Sequence, residues 1–236
     1  MARSAIWKSI VDTLSAEIAE GHYKPGDKLP TEAQLAARFG VNRHTVRHAL
    51  GALAEAGTVH SRRGAGVFVT IQPTDYAIGR RVRFQQNLAA SGRMASRRIS
   101  LMETRACGEK EAEALQLAPG DPVHVVEGVS LADGVPLALF RSVFPAGRVP
   151  GFLQAMAGRQ SITEALADCG IADYTRAQTR LTAKLARPVQ ALTLQIAEAA
   201  PILRSVSVNV TEDGKPIEYG ITWFAGDRVS LTMAPE

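Results

Sequence analysis

The stretch Gly26–Val69, GDKLPTEAQLAARFGVNRHTVRHALGALAEAGTVHSRRGAGVFV, decides the N-terminal fold. Thr31-Glu-Ala-Gln34 is a capping-box pattern, in which the hydroxyl caps the amide three residues on and Gln34 reaches back. A helix over 31–39 follows, with Leu35, Ala36 and Phe39 inward, and Gly40 is suited to end it. Asn42 is a preferred N-cap and opens a helix over 43–56, closed by Gly57. On that helix Val46, Ala49, Leu50 and Leu53 form the apolar stripe, and Arg43, His44, Arg47 and His48 lie on the other side. Two short β segments near 58–62 and 66–70 bracket Arg63-Gly64-Ala65-Gly66. These glycines permit the positive φ of a tight hairpin and a close backbone approach to a phosphate or the minor-groove floor. The ordered set is a winged helix-turn-helix, whose second helix enters the major groove N-terminus first.

Upstream, Ile6, Ile10, Leu14 and Ile18 recur at helical spacing with Val11 beside them, an amphipathic helix ending near Gly21, before Pro25-Gly26 breaks the chain. Downstream, residues 71–81 mix Pro, Gly and polar residues without periodicity, which predicts a linker and hinge. Beyond it, strands are expected at 97–106, 122–132, 135–144, 175–187, 202–211, 216–225 and 228–233, with Asp133-Gly134 and Asp213-Gly214 as hairpin turns. Helical patterns fall at 84–91, 109–117, 161–169 and 188–197. No strand–helix–strand alternation persists, so the class is α+β, with an antiparallel sheet and flanking helices after the winged domain.

Charge supports this division. Residues 1–70 hold nine Lys/Arg against six Asp/Glu and four of the five histidines, whereas residues 71–236 hold 18 against 17. A base excess in the N-terminal third suits a polyanion-binding module joined to a neutral domain. Cys107 and Cys169 form no CxxC or Cys/His cluster, so free thiols in a reduced cytoplasm are expected, with no metal and no cofactor. No stretch approaches the ~18 apolar residues of a membrane span, and the N-terminus does not read as a signal peptide. The chain carries no GxSxG, Walker-A, HExxH or strand-borne GxGxxG pattern, and His124, on an expected strand, reads as a packing residue. These absences argue against an enzyme.

Residues 4–70 resemble the winged helix-turn-helix of the GntR family of bacterial transcription regulators. The matching pieces are Pro25-Gly-Asp-Lys-Leu-Pro30, Leu35-Ala36, Phe39-Gly-Val41, Arg43, Thr45-Val-Arg47, Ala49-Leu50, Leu53 and Gly64-Ala-Gly66. The resemblance implies that Arg43, Thr45 and Arg47 contact bases or phosphates and that Gly64 and Gly66 shape the wing. His44 occupies the variable recognition position, reading a base or approaching a phosphate. Ala33 stands where many members carry a guanine-reading Arg, and Asn42 replaces the usual Ser. With Thr31 and Arg63, the expected DNA-contacting set is Thr31, Arg43, His44, Thr45, Arg47, Arg63, Gly64 and Gly66.

Residues 82–234 are similar to the UTRA effector domain of the HutC subfamily, which shares the chorismate-lyase fold. The similarity rests on Arg83-Phe84-Gln-Gln-Asn-Leu88, Leu115-Gln-Leu117 before Pro119-Gly120, and Glu218-Tyr219 before Gly226-Asp227. Asn42-Arg-His-Thr45 with Pro73-x-Asp75-Tyr76 is similar to regulators of phosphonate uptake and breakdown, the PhnF type. By position, the resemblance implies a small polar or anionic effector at Phe84, Gln85, Ser161, Glu218 and Phe224. Where sugar-phosphate binders carry two strand arginines, this chain has Gly128 and Ser130, and Phe140 stands where an acid would meet the sugar. Arg141 or Arg180 is the expected replacement cation, and an effector amine would meet Glu127 or Glu218. The expected organisation is 1–70 DNA-binding, 71–81 linker and 82–236 effector-binding and dimerising, through an apolar edge such as 228–233. The expected function is a cytoplasmic, homodimeric, ligand-responsive regulator on a pseudo-palindromic operator, a repressor of a catabolic or uptake operon such as phosphonate utilisation. The alternatives are a regulator of amino-sugar or histidine catabolism and a chorismate-lyase-type enzyme.

Overall fold

The computed structural model describes residues 3–62, 64–70, 73–81, 84–159 and 161–233. The chain forms two compact units, Met1–Gln72 and Pro73–Glu236. Among the described residues no helix is long and apolar enough to cross a membrane.

The first unit is α1 (Arg3–Ala19), α2 (Glu32–Phe39), α3 (Arg43–Glu55) and a hairpin of β1 (Val59–Arg62) with β2 (Gly66–Val69). Ile10, Leu14, Leu35, Val46, Ala49, Leu50 and Leu53 close one core with Val59 and Val69. Ile6, expected on the α1 stripe, is 45% exposed, and Trp7 packs against the core in its place. Leu29 N donates to Val67 O (2.8 Å) and Val69 N to Asp27 O (2.9 Å), so the Pro25–Leu29 segment is stitched to the wing.

The second unit opens with β3 (Thr74–Ala77) and α4 (Phe84–Ala90). A six-stranded antiparallel sheet follows, built from β4 (Ala95–Ala106), β5 (Pro122–Ala132), β6 (Val135–Pro145), β7 (Thr175–Leu185), β8 (Pro201–Val210) and β9 (Pro216–Ala225) in the order β4-β5-β6-β9-β8-β7. The helices α5 (Glu109–Leu115) and α8 (Pro188–Leu194) pack on one face, and α6 (Phe152–Met156) and α7 (Ile162–Asp168) pack on the other with α4.

One expectation changes here. Within the stretch read as a linker, Thr74–Ala77 is a strand paired in parallel with β10 (Val229–Thr232). Thr74 and Tyr76 are buried and Asp75 and Ala77 exposed, a period-2 alternation too short to stand out among turn-forming residues. That pairing also occupies one hydrogen-bonding edge of the 228–233 segment expected to form the dimer.

The sheet carries an internal duplication. Leu115-Gln-Leu-Ala-Pro-Gly-Asp-Pro122 after α5 repeats as Leu194-Gln-Ile-Ala-Glu-Ala-Ala-Pro201 after α8. Gln116 and Gln195 both take left-handed C-cap conformations (φ 53° and 54°), and Leu117 N→Ala112 O and Ile196 N→Ala191 O close both helices alike. β4-α5-β5-β6 and β7-α8-β8-β9 are therefore two copies of one unit. They join where β6 pairs with β9 and Arg141 faces Ile221, which places a pseudo-two-fold axis at the centre of the sheet. The offset that relates Leu115 to Leu194 relates Arg97 to Arg176 and Ser130 to Asn209. Arg97 pairs across its strands with Ser130, and Arg176 with Asn209.

Candidate DNA interface and ligand pocket

On α2, Thr31 Oγ1 accepts from Gln34 N (3.3 Å) and Gln34 Oε1 accepts from Thr31 N (2.9 Å), the reciprocal cap expected. On α3, Asn42 Oδ1 accepts from Thr45 N (2.8 Å) and from Thr45 Oγ1 (3.0 Å), which fixes the first turn. Arg43 and His44 project from that turn, exposed, while Val46 and Ala49 face the core. Arg47, one turn later, donates to both oxygens of Glu32 on α2 (3.0 and 2.7 Å) yet remains 65% exposed. Its hydrogen bonds hold the Glu32 carboxyl below the usual carboxylate range. His48 leaves this set: its ring sits edge-on against Trp7 of α1 at 4.5 Å, so it packs the helix pair.

At the wing tip, Gly64 (φ 75°) and Gly66 (φ 118°) use backbone open to glycine. A Cβ on Gly66 would lie 2.7 Å from Lys28 Cε, so the bare backbone lets that lysine lie along the tip. Arg62 stacks over Phe68 at 4.9 Å. Lys28 and Arg62 thus add cations that the sequence reading did not single out, while Arg63 lies outside the described residues.

In the second unit a polar cavity opens between the sheet, α4, β3 and the start of α7, lined by Tyr76, Phe84, Arg97, Ser130, Phe140, Ser142, Thr163, Tyr174, Arg176, Ser207, Asn209, Glu218 and Phe224. A second chamber adjoins it, lined by Gln85, Ser161 and Glu164, with Phe84, Arg97 and Thr163 shared. Register irregularities at Ile99/Leu101, Ser130/Leu131, Arg176/Gln178 and Asn209/Val210 lie beside these residues. Such bulges bend strands and re-aim side chains.

Glu218 is the buried carboxyl side chain of this cavity. Its Oε1 accepts from Ser142 Oγ (2.6 Å) and its Oε2 from Asn209 Nδ2 (2.6 Å). Asn209 Oδ1 in turn accepts from Arg176 Nε (2.9 Å). The Arg97 guanidinium lies over Phe84 (5.1 Å) and Phe140 (5.0 Å), and burial pulls its pKa down. Burial raises the pKa of the Tyr76 phenol, an effect that the nearby charges of Arg97 and Arg176 oppose.

The structure therefore brings together Phe84, Gln85, Ser130, Ser161, Glu218 and Phe224, and leaves out Arg141 and Arg180. Arg141 Nε donates to Glu127 Oε1 (2.6 Å) on the opposite face of the sheet, because its neighbours Phe140 and Ser142 take the cavity side. Arg180 pairs across the strands with Val206, which packs beneath α5. Glu127, bound to Arg141, does not line the cavity either. Arg97 and Arg176 are the cations that stand there. The signal that could have found them is the repeated LQ(L/I)A segment, whose offset pairs the two arginines.

His124 is a packing residue: its Nδ1 bonds Thr104 Oγ1 (2.8 Å), its ring stacks on Phe152, and burial keeps its pKa low. Cys107 and Cys169 are free thiols.

Residues 7–69 match the model of the bacterial regulatory proteins of the gntR family, and residues 90–230 match the UTRA domain. The chain is 38% identical over 231 residues to the uncharacterized HTH-type transcriptional regulator RB1450 of Rhizobium meliloti (strain 1021), covering 97% of this chain and 94% of the relative. It is 33% identical over 228 residues to the probable transcriptional regulator PhnF of Escherichia coli (strain K12), covering 96% and 94%. The crystal structure of PhnF from Mycobacterium smegmatis superposes with a TM-score of 0.67 at 26% identity, covering 100% of this chain and 99% of that one.

Proposed function

The chain belongs to the GntR family of bacterial regulatory proteins, in the branch with a UTRA domain; it is a DNA-binding transcription regulator and not an enzyme, and we propose that it is a homodimeric repressor of a catabolic or uptake operon, phosphonate utilisation first among them. The observation that carries this reading is the pre-set first turn of α3, which presents Arg43, His44, Thr45 and Arg47 beside a glycine-tipped wing. Two such units on a dimer match a pseudo-palindromic operator in the cytoplasm. Arg43 and the wing supply phosphate contacts, whose affinity is salt-dependent, and Arg47 reads a base edge for ~1–3 kcal/mol of discrimination. A small polar effector enters the cavity at Phe84, Gln85, Ser130, Ser161, Glu218 and Phe224. By linkage it releases the operator only if it binds the free form more tightly than the DNA-bound form.

The test is a mobility-shift titration of the full chain on DNA upstream of its neighbouring operon. Arg47→Ala is expected to lose operator binding at physiological salt while keeping its circular dichroism spectrum. Unchanged affinity in that variant would overturn the reading.

A further inference from the structure

We infer that Glu32 is a positioning residue for base reading: it holds one side of the Arg47 guanidinium, aims the free end at a guanine and turns it away from the phosphate backbone. This rests on the reading of α3 as the recognition helix and of Arg47 as its base-reading residue.

The pair uses one of the two faces that a guanidinium offers a carboxylate. Arg47 gives its Nε to Glu32 Oε1 (3.0 Å) and its Nη2 to Glu32 Oε2 (2.7 Å), the lateral fork. A guanidinium carries five N–H donors, so two remain on Nη1 and one on Nη2. One from each nitrogen points off the end of the side chain, and that parallel pair is the fork that meets guanine N7 and O6 in the major groove. Arg38, in the last turn of α2, supplies the contrast. It gives Nη1 (3.0 Å) and Nη2 to the two oxygens of Glu17, so its end fork is spent on α1.

Local structure holds both ends of the Glu32–Arg47 link. Glu32 is the first residue of α2, directly after the reciprocal Thr31–Gln34 cap, where the helix dipole favours a carboxylate. Arg47 stands one turn into α3 from the Asn42 cap, next to the buried Val46. The link therefore takes rotamer freedom from a long, 65% exposed side chain before DNA arrives.

Charge adds selectivity. The Arg47 hydrogen bonds, and after them the charges of Arg47, Arg43 and His44, hold the Glu32 carboxyl below the usual range, so it is ionised at neutral pH. As a unit the pair is neutral. A phosphate approaching the Arg47 fork meets that carboxylate at its side and gains little. A guanine edge carries no net charge and takes the two directed donors without the repulsion.

Mobility-shift titrations of the full chain test this on three kinds of DNA. They are the operator duplex upstream of the neighbouring operon, the same duplex with single G·C pairs of a half-site changed to A·T, and a scrambled duplex. Arg47→Ala, titrated at low salt, marks the pair that Arg47 reads as the one where discrimination is lost. Glu32→Gln should lower discrimination at that pair about tenfold, within the range of one bidentate base contact. The same variant should bind the scrambled duplex more tightly, with a salt slope steeper by about 1, because the released Arg47 is free to neutralise a phosphate. Glu32→Asp, one methylene shorter, should keep part of the discrimination. In the Arg47→Ala background Glu32→Gln should cost no further discrimination, since the two act as a unit. Glu17→Gln removes a carboxylate from the same domain without touching Arg47, and should discriminate as wild type does. Wild-type discrimination in Glu32→Gln, an equal loss in Glu17→Gln, or weaker binding of both operator and scrambled duplex, as a helix-stabilising role alone would give, overturns the inference. The base-reading premise falls separately, if Arg47→Ala discriminates as wild type does at every pair.

Discussion

Arg47 meets Glu32 through two hydrogen bonds yet keeps 65% of its side chain in solvent, so the pair directs the guanidinium more than it stabilises the fold. Its removal should therefore cost DNA binding while leaving the stability of the fold essentially unchanged, as for most surface substitutions. Glu111 is placed differently. It accepts two bonds of 2.7 Å from Arg105 and one of 2.9 Å from the Gly108 amide, and the Arg105 hydrogen bonds, foremost, hold its carboxyl below the usual range. A carboxyl depressed in the folded state adds stability above its unfolded pKa and loses it as pH falls through the folded value. Wild type should exceed Glu111→Gln by about 1 kcal/mol at pH 7. That gap should close as pH drops below about 4. Denaturant melts across this range check it, and a constant gap from pH 7 to 3 would contradict the assignment. Ala199 occupies a left-handed φ of 57°, where its counterpart in the first copy is Gly120 (φ 89°). Ala199→Gly should raise stability by about 1 kcal/mol, because a Cβ is disfavoured there.

Among the elements, the long strands were legible because each is an apolar-rich run of ten or eleven residues and two Asp-Gly turns mark hairpin ends. Asp133 (φ 49°) and Gly134 (φ 80°) adopt the positive angles such a turn needs. The capped helices α2 and α3 were legible for the same kind of reason, a local hydrogen bond encoded within four residues. The four-residue β3 and five-residue α6 were not, since neither is long enough to show a period, and β3 exists through its pairing with β10 at the far end of the chain. β4 shows how an element can depend on its neighbour: its bulge between Ile99 and Leu101 brings the backbone onto Gly128. Gly128→Ala should therefore destabilise the protein by about 2–3 kcal/mol, the cost of overpacking against rigid backbone. Thermal melts would report the loss, and a fully stable variant would count against the close approach.

For the whole molecule, the proposed dimer on its operator makes a thermodynamic prediction. The logarithm of operator affinity should fall linearly with the logarithm of salt concentration. Arg43→Gln should make that slope shallower by about 1 if Arg43 holds a phosphate, and analytical ultracentrifugation should find two chains per duplex. A slope unchanged by Arg43→Gln would move that residue off the backbone. The sequence by itself determined the winged helix, its caps and the α+β class, because these rest on short-range patterns of hydrogen bonding and burial. Six of eight expected effector residues line the cavity or the chamber beside it, Ser130, Glu218 and Phe224 from strands and Phe84, Gln85 and Ser161 from α4 and the start of α7. The repeat in the sequence pairs the two cations of that cavity, but only tertiary structure decides that they share it. Arg141 and Arg180 lie on the outer face, and Arg97 and Arg176, far apart in sequence, meet only because a duplicated unit folds about a two-fold axis and its two edge strands bend over the same space. No local pattern records where two edges of a curved sheet converge.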